Sequence, residues 1–228
     1  MLRAMIFDFD GVIADSEPLH FRAFRDILHA EGLDLSERRY YEAYLGFADR
    51  DLFIHGYAEN GRPLDAGDVD ALVARKSRRY LELVERELVI LPGVEPFVRS
   101  AAARWPLAIC SGALRREIET ILELAGLRAC FGVIVSADDV DACKPDPAGY
   151  LLALERLNAT DGFDPPLRAA ECLVVEDSLP GLAAADAAGM PSLAVASSHD
   201  PHLLADKAHR VVATLDEVTP DHAAAMFE

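Results

Sequence analysis

The segment Phe7-Asp8-Phe9-Asp10-Gly11 sets two carboxylates one residue apart at the end of a short apolar run. In extended backbone, residues i and i+2 face one side, so Asp8 and Asp10 fall together where the chain turns at Gly11. Two ionised carboxylates that close repel unless one keeps a proton or both share a cation. A hard divalent ion with oxygen ligands, such as Mg²⁺, relieves the repulsion and leaves Asp8 ionised as a nucleophile. The bland alternative is a pair of solvated turn acids.

Three more places carry groups that suit phosphate chemistry. Ser111 and Gly112 follow the apolar run Leu107 to Cys110 and precede a helical stretch from about Ala113 to Ala125. A hydroxyl and backbone N–H groups at a helix start suit a phosphate, and Ser111 would equally serve as the helix cap. Lys144 stands in Cys143-Lys144-Pro145-Asp146-Pro147, either as an exposed surface lysine or as the cation that neutralises a transferring phosphoryl group. Glu176-Asp177-Ser178 follows another apolar run. Its carboxylates would complete a metal's oxygen shell, while Asp177 or Ser178 would cap the next helix.

These residues need a scaffold that carries them to one place. The short apolar runs Ala4 to Phe9, Leu107 to Cys110, Val133 to Val135, Cys172 to Val175 and Ser192 to Val195 have the length and character of buried parallel strands. Arg210 to Ala213 would add a last short one. Most are followed by a helix-period segment, the pattern of an α/β, Rossmann-like, doubly wound parallel sheet. Such sheets bind ligands beyond the carboxyl ends of their strands. There the chain delivers Asp-x-Asp, Ser, Lys and Glu-Asp in order.

One interval departs from this rhythm. From residue 16 to 86 no strand run occurs, only helical periodicity. Phe21, Phe24, Ile27 and Leu28 share a face ended by Gly32, and Val69, Leu72, Val73, Lys76, Tyr80, Leu83 and Val84 recur at three- and four-residue steps. The expected organisation is an α/β core from residues 1–15 and 87–228 with a helical cap inserted at 16–86.

Composition narrows the function classes. A net charge of −17 over 228 residues disfavours nucleic acid or an anionic membrane as partner, because phosphate backbones would be repelled. No apolar stretch approaches the roughly 20 residues of a membrane span. The start MLRAMIFDFD lacks the apolar run and cleavage site of a signal peptide. Cys110, Cys130, Cys143 and Cys172 form no CxxC pair, which argues against a zinc or redox motif and for a reducing cytoplasm.

With these residues in place, the chain resembles the haloacid dehalogenase superfamily, among its cap-bearing phosphatases and β-phosphoglucomutase-like members. Phe7 to Ser16 resembles the first family motif, Ser111 the second and Lys144-Pro145 the third. Glu176 to Met190 resembles the fourth. The resemblance implies that Asp8 attacks phosphorus to form an aspartyl-phosphate, with Asp10 as general acid and then base. It implies Mg²⁺ on the Asp8 carboxylate, the Asp10 carbonyl and Asp177, with Glu176 near or in the shell. Ser111, Gly112 and Lys144 would hold the phosphoryl oxygens.

In the cap, Gly46-Phe47-Ala48-Asp49-Arg50 resembles the cap loop of the β-phosphoglucomutase-like members, and Arg75-Lys76 a basic pair on a later cap helix. His20 and Lys76 are expected near the entrance and Arg50 on a distal anionic group of the substrate, against the alternative of solvated cap charges. The expected function is an Mg²⁺-dependent phosphatase acting on a small phosphorylated metabolite, a sugar phosphate, as a monomer or homodimer. A β-phosphoglucomutase is the alternative, and a receiver-like signalling domain a distant one. The run Ser111-Gly112-Ala113 departs from the mutase pattern.

Overall fold

The computed structural model describes residues 1–45 and 47–227, with Asp161 described by its backbone alone. The chain divides into two compact units, Met1–Asp15 with Val89–Glu228, and Ser16–Leu88.

The first unit opens with β1 (Ala4–Phe7), whose four residues are all buried. The chain then leaves for the second unit, made of α1 (Glu17–Ala30), α2 (Glu37–Ala43), α3 (Asp49–Glu59) and α4 (Ala66–Glu87). An insert ending at residue 86 was expected; α4 runs to Glu87. Phe21, Phe24, Ile27, Tyr40, Leu52, Phe53 and Leu72 form part of a core internal to this unit. Ser36 and Asp65 cap α2 and α4 by accepting from Arg39 N and Asp68 N.

Back in the first unit come α5 (Val94–Ala102), β2 (Leu107–Cys110), α6 (Arg115–Leu124), β3 (Val133–Val135) and α7 (Ala148–Asp161). They are followed by β4 (Cys172–Glu176), α8 (Leu179–Ala187), β5 (Ser192–Val195), α9 (Pro201–Leu204), β6 (Arg210–Val212) and α10 (Pro220–Ala224). The six strands form one sheet in the order β3-β2-β1-β4-β5-β6, each neighbouring pair parallel. Strands β1 to β5 are buried throughout, as expected when helices cover both faces. Ala4, Ile6, Ala108, Cys110, Cys172 and Val174 belong to a cluster with Tyr150, Ala153 and Leu157 of α7 and Ala184 and Ala185 of α8. On the opposite pleat, Phe7 meets Phe97 of α5 and Phe131 edge-on, with ring centroids 6.2 and 5.7 Å apart.

The order reverses direction at β1: the chain steps out to β2 and β3, then returns to β4 on the other side. That switch point is where a doubly wound sheet opens a crevice at its carboxyl edge. The strand expected to reach Phe9 stops at Phe7. Asp8 N still bonds Val175 O at 2.9 Å, but the Phe9 carbonyl then collects the N–H groups of Val12, Ile13 and Ala14, which closes a turn. Gly11 takes φ +77° within it. Among the described residues no helix is long and apolar enough to cross a membrane, and all four cysteines are free.

Candidate active site

Register places the acids. Phe7 pairs with Val175 across β1 and β4, so Asp8 leaves β1 level with Glu176, and Asp177 follows one residue later. One carboxylate oxygen each from Asp8, Glu176 and Asp177 lies within 4.8 Å of the others. All three residues are buried. Lys144 sends Nζ to 2.6 Å from both Asp8 Oδ1 and Glu176 Oε1.

Glu176 is completely enclosed. Its Oε2 accepts from Asp177 N, Ser178 N and Ser178 Oγ, and its Oε1 from Lys144 Nζ and Tyr150 Oη. Five donors occupy the carboxylate. Burial works against its charge, yet Lys144 and the Ser178 donors outweigh that and hold its pKa below the usual carboxylate range. Space for it exists because residue 181 is glycine: a Cβ there would stand 1.6 Å from Glu176 Oε1.

Asp8 and Asp177 behave oppositely. Burial pushes Asp8 up to about 7; Lys144 opposes this and the charges of Glu176 and Asp10 add to it. Burial, then the charge of Asp8, then that of Glu176 push Asp177 up to about 8. Lys144 is raised well above its ordinary range, since the charges of Asp8 and Glu176 override the cost of burying it. The site thus holds more negative charge than one lysine balances. A donor set of hard oxygens with that deficit fits a hard divalent cation.

Asp10 is half-buried in the turn after Asp8, its backbone bridging to Ala14. Ser111 extends β2 by one bond, N to Val135 O at 3.0 Å, and its Oγ accepts from Ala113 N at 3.0 Å. It is therefore not the cap of α6, which begins at Arg115 after Leu114. Gly112 is exposed, and a Cβ on it would meet open space. The cap of α8 is Ser178, whose Oγ accepts from Gly181 N, so Asp177 has no capping duty.

Of the expected cap residues, Lys76 is not a solvated charge. It is completely buried, with Nζ 2.7 Å from His20 Nδ1 and 2.9 Å from Asp49 Oδ1 and over the rings of Phe24 and Tyr80. His20 stacks on Tyr80 at 4.0 Å between centroids. Arg50 is half-exposed and pairs with Asp70; Arg75 pairs with Glu31 at 2.5 Å. Gly46 lies outside the described residues.

Sequence reasoning missed Tyr150, buried and bonded to Glu176, and the turn after β5. There Ser197 Oγ donates to Gly11 O and lies 3.5 Å from Asp177 Oδ2. The strand-end rule, applied to β5 as to the other strands, would have pointed to Ser197. Tyr150 gives no such signal, being one more apolar position of α7.

Residues 2–189 match the model of the haloacid dehalogenase-like hydrolases. The chain is 33% identical over 208 residues to hexitol phosphatase B of Escherichia coli, with 89% of each chain covered. It is also 33% identical over 193 residues to fructose-1-phosphate phosphatase YqaB of Escherichia coli, covering 84% of this chain and 95% of that one. Among solved structures, CbbY from Rhodobacter sphaeroides in complex with phosphate matches with a TM-score of 0.82 at 26% identity, over 95% of this chain and 96% of the other. The chain belongs to the haloacid dehalogenase-like hydrolase family and is an enzyme.

Proposed function

We propose that this haloacid dehalogenase-like hydrolase is an Mg²⁺-dependent phosphatase of a sugar phosphate or a similar small phosphorylated metabolite, acting through an aspartyl-phosphate on Asp8. The observation that carries the reading is the Lys144 ammonium at 2.6 Å from Asp8 Oδ1, beside a second acid, Asp177, within ligating reach. An anionic nucleophile can approach an anionic phosphoester only where cations cancel the repulsion. The names of the two Escherichia coli relatives support the substrate class.

The Asp8 and Asp177 carboxylates and the Asp10 carbonyl would hold the Mg²⁺. Glu176, with five donors already on its oxygens, would stand behind them and fix Lys144. When bound, the cation supplies positive charge to the phosphoryl oxygens. Asp8 Oδ forms a bond to phosphorus as the bond to the leaving oxygen breaks, and a proton on Asp10 passes to that oxygen. Water then attacks phosphorus, gives its proton to Asp10, and frees Asp8 with release of phosphate. Ser111 Oγ, accepting from Ala113 N, keeps its own proton to donate to a phosphoryl oxygen, beside the backbone of Gly112. In the helical unit, Arg50 is the group assigned to a distal anionic part of the substrate. Lys76 and His20 are assigned to each other.

Phosphate release from a panel of phosphorylated metabolites, with and without Mg²⁺, tests this. Hexitol and hexose phosphates should be hydrolysed by the wild type and by no more than background in Asp8→Asn. Metal-dependent turnover persisting in Asp8→Asn would overturn the mechanism. Conversion of β-glucose 1-phosphate to glucose 6-phosphate, without free phosphate, would instead make the enzyme a mutase.

A further inference from the structure

Strand β5 ends at Val195, and the turn that follows it reaches the carboxylate cluster. Ser197 Oγ donates to the carbonyl of Gly11 and lies 3.5 Å from Asp177 Oδ2. Ser198 Oγ stands over the same turn, on the side where the Asp177 carboxyl lies. Both hydroxyls converge on Gly11, where a Cβ would stand 2.1 Å from Asp177 Oδ2 and 2.8 Å from Ser198 Oγ. Two hydroxyls and a carboxylate therefore close over one α-carbon of the Asp8–Ala14 turn.

The turn is held at both ends. Ala196 N bonds Val212 O of β6 at 2.9 Å. Asp200 then caps α9 by accepting from His202 N at 2.9 Å, and α9 is anchored by the fully buried Leu204. The backbone that carries the two serines is thus anchored on both sides. Lys144 reaches Asp8 and Glu176; the hydroxyls beside Asp177 come from this turn.

We infer that Ser197 and Ser198 are positioning residues that hold the Asp177 carboxylate in its ligating rotamer and so set the affinity of the site for a divalent cation. The inference rests on the cation reading above. A carboxylate that must be ordered as the cation arrives loses rotamer entropy at that moment. One already confined by neighbouring groups does not, and removing such supports typically costs about 10- to 100-fold in metal affinity. Ser197 has a further effect: by gripping Gly11 O it ties the turn bearing Asp10 to Asp177, so both sides of the cation site share one support.

Mg²⁺ titrated into metal-free protein by isothermal titration calorimetry tests this without reference to turnover. The Ser197→Ala/Ser198→Ala double variant should bind Mg²⁺ about tenfold more weakly than wild type. Ser198→Thr, which keeps the hydroxyl, should bind Mg²⁺ close to the wild-type affinity, unlike Ser198→Ala. Activity lost at low Mg²⁺ should be progressively regained as Mg²⁺ is raised, which separates a support of the cation from a structural lesion. Both serines are exposed, so each single variant should melt with the wild type. An Mg²⁺ affinity in the double variant within about twofold of wild type would overturn the role of the turn and leave the cation site standing. A wild-type protein that takes up no Mg²⁺ at millimolar concentration would overturn both.

Discussion

Lys144 Nζ lies 2.6 Å from Asp8 Oδ1, and it shares its charge with Glu176 at the same distance. One ammonium thus serves Asp8 and Glu176 at once. Removing it strands a fully buried carboxylate. Lys144→Met should lose turnover and, in metal-free protein, about 3–5 kcal/mol of stability, the usual effect of breaking a buried ion pair. Urea unfolding measures the second quantity. Unchanged stability would show that Glu176 is neutral in the fold, contrary to its lowered pKa.

Two glycine-to-alanine changes inside helices should have opposite signs. Alanine usually gains about 0.5–1 kcal/mol over glycine in a helix interior. Gly56 in α3 has room, since a Cβ there would meet nothing within 4 Å, and Gly56→Ala should raise the melting temperature. At Gly181 the same methyl would overlap Glu176 Oε1 at 1.6 Å. Gly181→Ala should lower stability and also turnover, because displacing Glu176 moves Lys144. Comparing the two melting curves decides the matter; a stabilising Gly181→Ala would refute the tight packing of Glu176.

Metal-free protein should lose stability as pH rises from mildly acidic to mildly alkaline. Asp8 and Asp177 have ordinary values of 3.8 and stand at about 7 and about 8 in the fold. Between those limits the native state binds more protons than the unfolded chain, so stability is greatest at the acid end and falls through the folded pKa values. Cation ligands must be deprotonated, so Mg²⁺ should raise the melting temperature more at about pH 8 than at about pH 5.5. Calorimetric scans at both pH values check this, and an equal rise at both would contradict it.

Lys76→Met should destabilise the helical unit. Lys76 is the partner of Asp49 Oδ1, and Asp49 Oδ2 is already buried without a hydrogen bond among the described residues. An unpaired Asp49 should cost about 3–5 kcal/mol. Adding Asp49→Asn should recover part of that loss, which a double-mutant cycle would read as coupling. Additive effects would mean that the two side chains do not depend on each other.

Arg50→Ala should barely move the melting temperature, since an exposed pair such as Arg50 with Asp70 contributes at most about 1 kcal/mol. Its effect should fall on KM for the physiological substrate and much less on a small generic phosphoester. Equal changes for both would remove Arg50 from substrate selection.

The sequence by itself determined most of the elements and the charged residues that gather at their strand ends. Continuous apolar runs report burial on both faces, so β2, β3 and β5 appear at their observed limits. The helical stripe through Val69, Leu72, Tyr80 and Val84 marks the buried face of α4. The acids, Ser111 and Lys144 were legible because strand ends are local features of the chain. Tertiary structure alone decided what those groups touch. Lys76 sits in an apolar stripe, and only the approach of His20 and Asp49 from two other helices shows that its charge is partnered. Glu176 and Asp177 are adjacent and chemically alike. One is filled by Lys144, Tyr150 and Ser178, while the other is left with an elevated pKa beside Ser197. The physical reason is that strand order brings together residues more than a hundred positions apart, as with Asp8 and Lys144. A carboxylate's charge and availability depend on those distant donors and on its loss of water, neither of which is written in its own stretch of chain.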